Sequence, residues 1–458
     1  MTRKDRVVIV GAGPAGIFAA IELVRLGFSD ITILEKGKDL PDRRCPTAEN
    51  GCVSCRECDI MSGWGGAGAF SDGKLTLSGE VGGWLGEYVG LTELDDLIGY
   101  ADQIWLRYGA TKHVYEPEPD VAARLERQAT LAGMHLTPMR IRHIGTDRAP
   151  EILGAVREDL VEAGVTVRTG TEATVIRAEG GRVTGVELSS GTFIPCDVVI
   201  AAPGREGAEW LARQAAALDI GLTNNAVDIG VRVEAPAPVM EPLTDHLYEA
   251  KLTYFSRSFG DRVRTFCMNP YGEVTTESYG DVVTVNGHSF AEDKTPYTNF
   301  AILVSQVFTR PFREPLTYGR SIARLANLLG EGILVQRLGD LKLGRRSTPD
   351  RIGASIVVPT LASATPGDLS NVIPYRHLTD ILEFIEALDT LVPGLAAPGT
   401  LLYGVEVKFY SSRLELDVDL QTPVADLYAI GDGAGITRGL VQSGASGVVA
   451  ARAVARGR

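Results

Sequence analysis

The sequence lacks long apolar runs, long runs of one charge and internal repeats. No apolar stretch reaches the about 20 residues that a membrane-spanning helix needs, so we expect no membrane span. The 58 acidic and 45 basic residues give a formal net charge of −13 and are interspersed, which argues against a nucleic-acid-binding surface. We expect a cytoplasmic protein whose partners are small molecules or other proteins.

Cysteine is also scarce, because the 458 residues include only six, and four of these lie between 45 and 58. Such clustering fits a metal or redox site in a reducing compartment better than a secreted disulfide framework. Hydrophobic residues, by contrast, make up 45% of the chain, which is enough to fill a sizeable core. We expect a globular protein whose domains are interleaved along the sequence.

Two apolar, β-branched runs near the start, at 6–10 and 31–35, flank a helical stretch at about 14–26. This pattern predicts the βαβ unit of a parallel sheet. A GxGxxG motif lies between the first strand and the helix, and an acidic residue, Glu35, closes the second strand. The contextual requirements of a dinucleotide-binding fingerprint are thereby met.

The fingerprint has a physical rationale in each of its parts. Its glycines permit a tight turn, a close approach of the backbone to a pyrophosphate, and tight packing of the helix on the strand. The helix N-terminus then faces the negative charge, and Glu35 would accept hydrogen bonds from the adenosine ribose. The cofactor contacts expected from this segment are Gly11, Gly13, Pro14, Ala15, Gly16, Glu35 and Lys36.

The fingerprint alone fits FAD or NAD, but a segment far along the chain favours FAD. Residues 424–430 form a predicted strand that ends in Gly431 and Asp432, and a glycine turn then leads into a long helix. Asp432 is suited to bind a ribityl hydroxyl group, or to lie near the pyrophosphate through a water molecule. The N-terminus of the helix, at Gly439 and Leu440, could stabilise the anionic reduced flavin.

Two further stretches could approach the same cofactor. An apolar strand at 198–202, followed by Gly204, resembles the central strand beside the cofactor in this fold, and the stretch at 63–74 is glycine-dense enough to approach the isoalloxazine ring. The candidate contacts in the second stretch are Gly66, Ala67, Ser71, Asp72, Gly73 and Lys74. No second GxGxxG motif follows a strand downstream, so we predict no dedicated NAD(P)H domain, and a nicotinamide donor would bind transiently.

These motifs resemble a known group, the largely uncharacterised bacterial and plastid FAD-dependent dehydrogenases within the two-segment, glutathione-reductase-like flavoprotein superfamily. The resemblance covers nearly the whole chain. It rests on GAGPAG at 11–16, the cysteine block, and the stretches at 65–75, 228–234, 285–289 and 429–435. It implies the fold and an FAD cofactor, but it supplies no substrate.

The four clustered cysteines, Cys45, Cys52, Cys55 and Cys58, are spaced C-x6-C-x2-C-x2-C. Two successive C-x2-C steps can bring thiolates round an iron–sulfur cluster or a zinc ion. The block also begins ten residues after Glu35, where glutathione-reductase-like enzymes carry a cysteine pair that exchanges electrons with the flavin. Four thiols with no shared role are the third alternative.

Two residues are candidates for catalysis. His288 is the acid–base candidate, because an imidazole titrates near neutral pH and its Asn-Gly-His-Ser turn could project it into a cleft. Lys408, in an alternating strand, could reach the substrate or face water. Arg232 lies inside an apolar strand, where it needs a carboxylate; Glu234 on the same strand face is the expected partner, and recognition of a substrate carboxylate is the alternative.

The predicted fold class is α/β, with a discontinuous Rossmann-like FAD-binding domain and an interleaved, mixed α+β substrate domain. The predicted FAD-binding domain comprises 1–80, 150–220 and 400–458, and the substrate or cap domain comprises 81–149 and 221–399. We expect an FAD-dependent oxidoreductase that transfers hydride between a small organic substrate and flavin N5, with an electron-carrier protein as a further candidate partner. The alternatives are a flavin monooxygenase, a non-redox flavoprotein that uses FAD structurally or for partner docking, and an NAD dehydrogenase without flavin.

Overall fold

The structure is a computed structural model that describes residues 3–45, 55, 57–70, 73–144, 148–279, 282–288, 294–308, 312, 314–408 and 412–457. The α-helices are α1 (Pro14–Arg25), α2 (Gly86–Val89), α3 (Leu91–Arg107), α4 (Pro119–Leu131), α5 (Ala149–Glu162), α6 (Ala208–Ala217), α7 (Ala237–Thr244), α8 (Pro315–Gly330), α9 (Leu338–Lys342), α10 (Pro349–Gly353), α11 (Tyr375–Asp389) and α12 (Leu440–Arg456). Short 3-10 helices cover Leu40–Asp42, Gly66–Phe70, Leu369–Asn371 and Asp432–Ala434. Among the described residues, no helix has the length and hydropathy of a membrane span.

The β-strands are β1 (Arg3–Val10), β2 (Phe28–Leu34), β3 (Lys74–Thr76), β4 (Met134–Thr137), β5 (Ile141–His143), β6 (Thr166–Arg168), β7 (Ala173–Glu179), β8 (Arg182–Leu188), β9 (Phe193–Pro195), β10 (Val198–Ala201), β11 (Leu222–Thr223), β12 (Val227–Pro236), β13 (Lys251–Phe255), β14 (Arg262–Asn269), β15 (Glu273–Tyr279), β16 (Val282–His288), β17 (Tyr297–Gln306), β18 (Leu334–Arg337), β19 (Thr365–Pro366), β20 (Leu401–Lys408), β21 (Arg413–Leu414) and β22 (Leu427–Ala429).

The chain divides into two compact units, each built from segments that are not adjacent in sequence. The first unit comprises residues 1–114, 140–225 and 410–458, and the second comprises 115–139 and 226–409. The boundaries expected from the sequence differ from these at three main places, 81–114, 140–149 and 400–409. The first two segments belong to the first unit because α3 packs against α12 and β5 pairs with β3, and the third belongs to the second unit because β20 pairs with β12.

The first unit is built on a five-stranded parallel sheet in the order β22-β10-β1-β2-β6. Its central strand β1 ends in Val7–Val10, an apolar run that is buried throughout because both faces of a parallel sheet are covered. Val7 pairs with Val198 on one side and with Ile31 on the other. The predicted α/β fold class is confirmed.

Helices α1 and α12 pack closely against each other in the first unit. A Cβ on Gly447 of α12 would lie 2.2 Å from the Ala15 carbonyl oxygen, and a Cβ on Gly444 would lie 2.9 Å from Phe18 Cδ1. Both glycines therefore let the α12 backbone approach α1 more closely than a side chain would permit. The C-terminal helix is thereby fixed to the helix that follows the fingerprint.

The second unit is built on an eight-stranded sheet in the order β19-β18-β20-β12-β17-β14-β13-β4, in which β12 is antiparallel to both of its neighbours. One face of β12 is apolar, with Ile229, Val231 and Val233 in a core that also includes residues of α8 and α11. The other face carries Arg232 and Glu234, which are equally buried. This unit therefore encloses charged side chains on the face of its sheet away from the apolar core.

Candidate functional site

The fingerprint turn between β1 and α1 is shaped by two glycines that the protein's own packing requires. Gly11 has a φ of +107°, which glycine adopts far more readily than other residues. A Cβ on Gly11 would lie 2.1 Å from the Ala202 carbonyl oxygen, and a Cβ on Gly16 would lie 2.0 Å from the Gly11 carbonyl oxygen. The turn and the adjoining strand β10 leave no space for a side chain at either position.

The middle glycine of the fingerprint, Gly13, is in a different situation. It caps α1 with a φ of −80° and a ψ of −178°, an extended conformation that other residues adopt freely. Among the described residues, no atom lies within 4 Å of a Cβ built on Gly13. Helix α1 has no side-chain cap and no acidic residue in its first turn, so its positive end faces this open space. The arrangement suits an anionic group placed against the Gly13 backbone.

Glu35, at the end of β2, joins three backbone segments around the fingerprint. Its carboxylate is buried, and Oε2 accepts a hydrogen bond from the Ala12 amide at 2.9 Å. Oε1 accepts from the amides of Gly37 at 2.8 Å and Gly63 at 2.9 Å. Glu35 was predicted to bind a ribose; its carboxylate also has a structural role that the sequence analysis did not anticipate. Each oxygen can accept further bonds, so the two roles are compatible.

The next residue, Lys36, was predicted to contact the cofactor. The structure places its ammonium group in an ion pair with Glu206, in the loop that follows β10. The Ser62 hydroxyl lies 3.5 Å from the same carboxylate. The pair joins the end of β2 to the loop that contains Gly204.

The glycine-rich stretch is more regular than expected, because it contains the 3-10 helix Gly66–Phe70 and leads into β3. Arg43, which the sequence analysis missed, holds this stretch in place. Its guanidinium group is buried and donates to the carbonyl oxygens of Trp64 at 2.6 Å and Gly66 at 2.9 Å. Arg43 also lies over the Phe70 ring, 4.7 Å from its centroid. No local motif marks Arg43, because its partners lie about twenty residues further along.

The second glycine turn follows β22. Gly431 has a φ of +75°, and the Oδ1 atom of Asp432 accepts a hydrogen bond from the Thr437 hydroxyl at 2.8 Å. The other carboxylate oxygen of Asp432 lies 3.8 Å from Arg205 Nε. Burial raises the pKa of the Asp432 carboxyl, and Arg205 and the Thr437 hydrogen bond oppose this shift. Gly439 caps α12 with a φ of +91°, and a Cβ there would meet no described atom within 4 Å.

The structure brings these predicted segments together within the first unit. A Cβ on Gly66 would lie 3.1 Å from Gly13 Cα, and one on Gly68 would lie 2.7 Å from the Leu440 side chain and 3.5 Å from Pro14 Cγ. The N-terminus of α1, the 3-10 helix of the glycine-rich stretch and the N-terminus of α12 are therefore neighbours.

The remaining predicted contacts lie around this arrangement. A Cβ on Gly431 would lie 2.9 Å from the Ala15 side chain, and one on Gly433 would lie 2.5 Å from the Gly204 carbonyl oxygen. Ala67 is half-buried in the 3-10 helix of the glycine-rich stretch. Gly73 precedes β3, where Lys74 pairs with His143 of β5, and Ser71 and Asp72 lie outside the described residues.

A segment that the sequence analysis missed lies against the second turn. The Trp84 amide donates to the Ile436 carbonyl oxygen at 2.7 Å, and the Arg438 guanidinium lies 4.1 Å from the Trp84 ring centroid. Gln442, in the first turn of α12, donates to the Val81 carbonyl oxygen at 3.0 Å. Its buried Oε1 atom has no hydrogen-bond donor among the described residues. The glycine pair at 82–83 was the available signal, since both residues have a positive φ.

The cysteine block is only partly described. Cys45 and Cys55 are exposed and Cys58 is half-buried, whereas Cys52 lies outside the described residues. Within the described part of the chain, no group of three or more histidine, cysteine or acidic side chains could hold a metal ion. The iron–sulfur, zinc and redox-pair alternatives all remain predictions.

The catalytic candidates and Arg232 lie in the second unit. Lys408 does not face water: its ammonium group is buried, 3.0 Å from Glu277 and 3.2 Å from Glu406. Against the lowering effect of burial, these two carboxylates raise its pKa. His288 is not in a turn but is the exposed last residue of β16, paired in register with Glu273 of β15. Their catalytic roles remain predictions.

Arg232 forms an ion pair, but its partner is not Glu234. Its Nε and Nη2 atoms each donate to Glu406 at 2.9 Å, and both side chains are fully buried. The neighbouring strand β20 places Glu406 within reach, whereas residues two apart on one strand are too far separated for a bidentate pair. Glu234 instead accepts hydrogen bonds from the hydroxyls of Thr360 and Tyr403.

The chain matches two models of protein families. The model described as "FAD binding domain" matches residues 4–250, and the model described as "FAD-dependent protein, C-terminal domain-like" matches residues 226–409. Among curated proteins, an uncharacterized protein of Clostridium beijerinckii is 29% identical over 474 residues, which cover 97% of this chain and 80% of that protein. The probable ferredoxin reductase CtmF of Castellaniella defragrans is 25% identical over 291 residues, which cover 52% of this chain and 67% of that protein.

Two solved structures illustrate the likeness to known folds. The 3-ketosteroid-delta4-(5alpha)-dehydrogenase of Rhodococcus jostii has a TM-score of 0.46 and 13% identity, with 99% of this chain and 97% of that chain covered. The L-proline dehydrogenase of P. horikoshii has a TM-score of 0.39 and 12% identity, with 100% of this chain and 95% of that chain covered.

Proposed function

The chain belongs to the FAD binding domain family, and from this premise we propose that it is an FAD-dependent oxidoreductase that transfers hydride between a small organic substrate and the flavin. The observation that carries the proposal is the open space beside Gly13, enclosed by segments from three distant parts of the sequence. When bound, FAD supplies a ring that accepts or donates two electrons with a proton. The protein supplies the binding site and the surrounding charges.

The residues present fit this cofactor at both helix N-termini. The amides at the start of α1 and the bare backbone of Gly13 can bind the pyrophosphate, as a glycine fingerprint requires. The start of α12 has the same character, because Gly439 leaves open space there and no acidic residue lies in the first turn of the helix. An anionic ring edge near that terminus would be stabilised by the helix dipole.

Two polar groups beside α12 are suited to orient the cofactor. The Asp432 carboxylate lies in the turn before the helix, and it can accept a hydrogen bond from a ribityl hydroxyl while it retains the Thr437 contact. The buried Oε1 atom of Gln442, which lacks a donor among the described residues, offers a further acceptor. Burial of an amide oxygen without a donor is costly, so a ligand donor would relieve that cost.

The test of this proposal starts with the absorbance spectrum of the purified protein, followed by chromatographic identification of the released cofactor. We expect flavin bands and FAD. Under anaerobic conditions, NADH, NADPH and dithionite are then compared as reductants by the loss of absorbance near 450 nm, roughly where oxidised flavins absorb. A colourless protein that does not take up added FAD would contradict the proposal.

Two further outcomes would replace hydride transfer by another activity. Incorporation of one atom of isotopically labelled oxygen into a product would indicate a monooxygenase. FAD that neither nicotinamide, dithionite nor a protein electron carrier reduces would indicate a non-redox role for the cofactor.

A further inference from the structure

A short segment of the second unit concentrates positive charge in an otherwise acidic protein. Residues 337–351 contain five basic and two acidic side chains, whereas the whole chain has a formal net charge of −13. Three of these basic residues form what we call the arginine cluster: Arg337, Arg345 and Arg351. Their guanidinium groups converge on one carboxylate, that of Asp340 in α9.

The distances show that Asp340 uses only part of this positive charge. Its Oδ1 atom accepts from Arg345 Nε at 2.9 Å, and Arg351 Nε lies 4.0 Å away. Its Oδ2 atom accepts from the Ser347 hydroxyl at 2.9 Å and lies 3.9 Å from Arg337 Nη1. Two of the three guanidinium groups are therefore near the carboxylate but not hydrogen-bonded to it.

The donors of the cluster are not all satisfied by the protein. The Nε atom of Arg337 is buried and has no acceptor among the described residues. Nearby carboxylates are engaged elsewhere, because Glu386 pairs with Lys342 at 3.2 Å and Asp368 accepts from Ser370. Three guanidinium groups around one carboxylate leave a local surplus of two positive charges.

The backbone holds the cluster in a fixed geometry. Gly344, with a φ of +64°, turns the chain after α9, and the Arg345 amide donates to the Asp340 carbonyl oxygen at 3.1 Å. The Arg337 amide donates to the Ser347 hydroxyl at 2.9 Å, which ties β18 to the same turn. The side chain of Asp340 is 1% exposed, whereas Arg345 and Arg351 are 48% and 38% exposed. The cluster is thus anchored from within and accessible from outside.

We propose that the arginine cluster binds a phosphate group of a small molecule. A phosphate dianion matches the surplus of two positive charges, and the fork of a guanidinium group matches the spacing of phosphate oxygens. Convergence within 4.0 Å of one point favours a compact anion over an extended acidic surface. The proposal concerns the second unit alone and does not depend on the proposed FAD chemistry.

The test is isothermal titration of the protein, purified with its cofactor, with inorganic phosphate, pyrophosphate and 2′-AMP at low ionic strength. We expect saturable binding that R345Q/R351Q weakens by about tenfold or more, because each charge-assisted hydrogen bond contributes roughly 1.5–3 kcal/mol. R351Q alone retains the Arg345–Asp340 hydrogen bond and serves if the double variant unfolds; it should weaken binding by roughly threefold or more. The matched control is R177Q, because Arg177 is likewise exposed and paired with a carboxylate, Glu187.

The outcomes separate the possible sources of the phosphate group. Equal affinity for inorganic phosphate and 2′-AMP would support a site for free phosphate, and tighter binding of 2′-AMP would support a phosphorylated nucleotide. The proposal is overturned if none of the three anions gives a saturable isotherm, or if R345Q/R351Q and R177Q bind them as the unaltered protein does. Anion binding that the double variant retains in a protein without FAD would locate the anion at the glycine turns instead.

Discussion

The carbonyl oxygen of Gly11 lies 2.0 Å from the position that a Cβ on Gly16 would occupy. Gly16 is therefore required by the folded protein itself, because strand and helix pack too closely there for any side chain. Gly13, three residues before it, has free space on its open side and a backbone conformation that alanine adopts without strain. The two glycines of one motif thus have separable roles, one in packing and one in ligand approach.

We expect Gly13→Ala to leave the stability of the apoprotein within about 0.5 kcal/mol of the unaltered protein and to weaken FAD binding by about tenfold or more, because the methyl group would occupy the space of the pyrophosphate. Denaturant unfolding of the apoprotein and FAD titration measure the two effects. The matched variant Gly16→Ala should lose about 2–3 kcal/mol of stability, since it forces a clash with backbone. Unchanged FAD affinity in Gly13→Ala would contradict the assignment of the open space.

Glu35→Gln should destabilise the protein even without FAD. The carboxylate accepts hydrogen bonds from the amides of Ala12, Gly37 and Gly63, and an amide nitrogen in place of one oxygen cannot accept them. Each buried amide left without an acceptor costs about 1–3 kcal/mol. Equilibrium unfolding of the apoproteins is the measurement, and Glu206→Gln, at a more exposed carboxylate, is the control. A residue that served only to bind ribose would leave apoprotein stability unchanged.

Lys408→Met should lower stability by about 3 kcal/mol, because it leaves Glu406 and Glu277 without the cation that lies between them. Equilibrium unfolding measures this loss. Turnover per bound FAD shows whether Lys408 also acts on the substrate. If the stability of Lys408→Met equals that of the unaltered protein, the buried ion-pair network has no structural role.

His288→Ala gives the complementary case. Its side chain is exposed at the end of β16, so stability should change by no more than about 0.5 kcal/mol. A general acid or base contributes roughly 10²–10⁴-fold to a rate, and we expect turnover to fall within that range while FAD stays bound. His246→Ala serves as the control at another histidine of the second unit. Full turnover in His288→Ala would remove it from the candidates.

Stability should also depend on pH through Asp380 of α11. Its carboxyl is fully buried, and burial together with the neighbouring Asp261 raises its pKa to about 6 from an ordinary value of 3.8. The groups that face it are Asp261, which is paired with Arg376 and lies in the loop between β13 and β14, together with Ser256 and His377. Folding therefore favours the protonated form of this carboxyl.

The contribution of protonated Asp380 to stability is complete below about pH 4 and is lost as the pH rises through about 6, where the folded carboxyl ionises. We expect Asp380→Asn to remove this dependence, so that the variant gains on the order of 2 kcal/mol relative to the unaltered protein between pH 4 and pH 7. Unfolding curves measured across that range give the difference directly. Burial lowers the pKa of His377 to about 4, and this opposite effect is common to both proteins. A constant difference across the range would contradict the predicted shift.

The sequence predicted most of what depends on local patterns. Residues 6–10 and 31–35 were identifiable as strands because buried parallel strands are continuously apolar, and the turn between the first of them and α1 was identifiable from its glycine spacing. The parallel sheet, the order of strand, helix and strand, and the FAD-binding class followed from these observations.

Features that depend on residues far apart in the sequence could not be predicted in this way. Arg232 was expected to pair with Glu234, but the partner is 174 residues away on another strand, and nothing in a single sequence indicates that register. The burial of Lys408 has the same origin, because an alternating strand looks alike whether its polar face meets water or other buried side chains. Arg43 was missed because its role is to bind backbone carbonyl groups, which every residue possesses.

The close packing of Gly447 and Gly444 against α1 has a consequence for biosynthesis. Residues 26–439 separate the two helices, so α1 must wait for its packing partner until nearly the whole polypeptide has left the ribosome. Strands β1 and β2 can form early, but the nucleotide pocket can close only after translation of the late helix, and cofactor loading is then a post-translational event. Ribosome-bound chains stalled before residue 440 should accordingly fail to retain FAD, and retention by such chains would show that the early segments suffice.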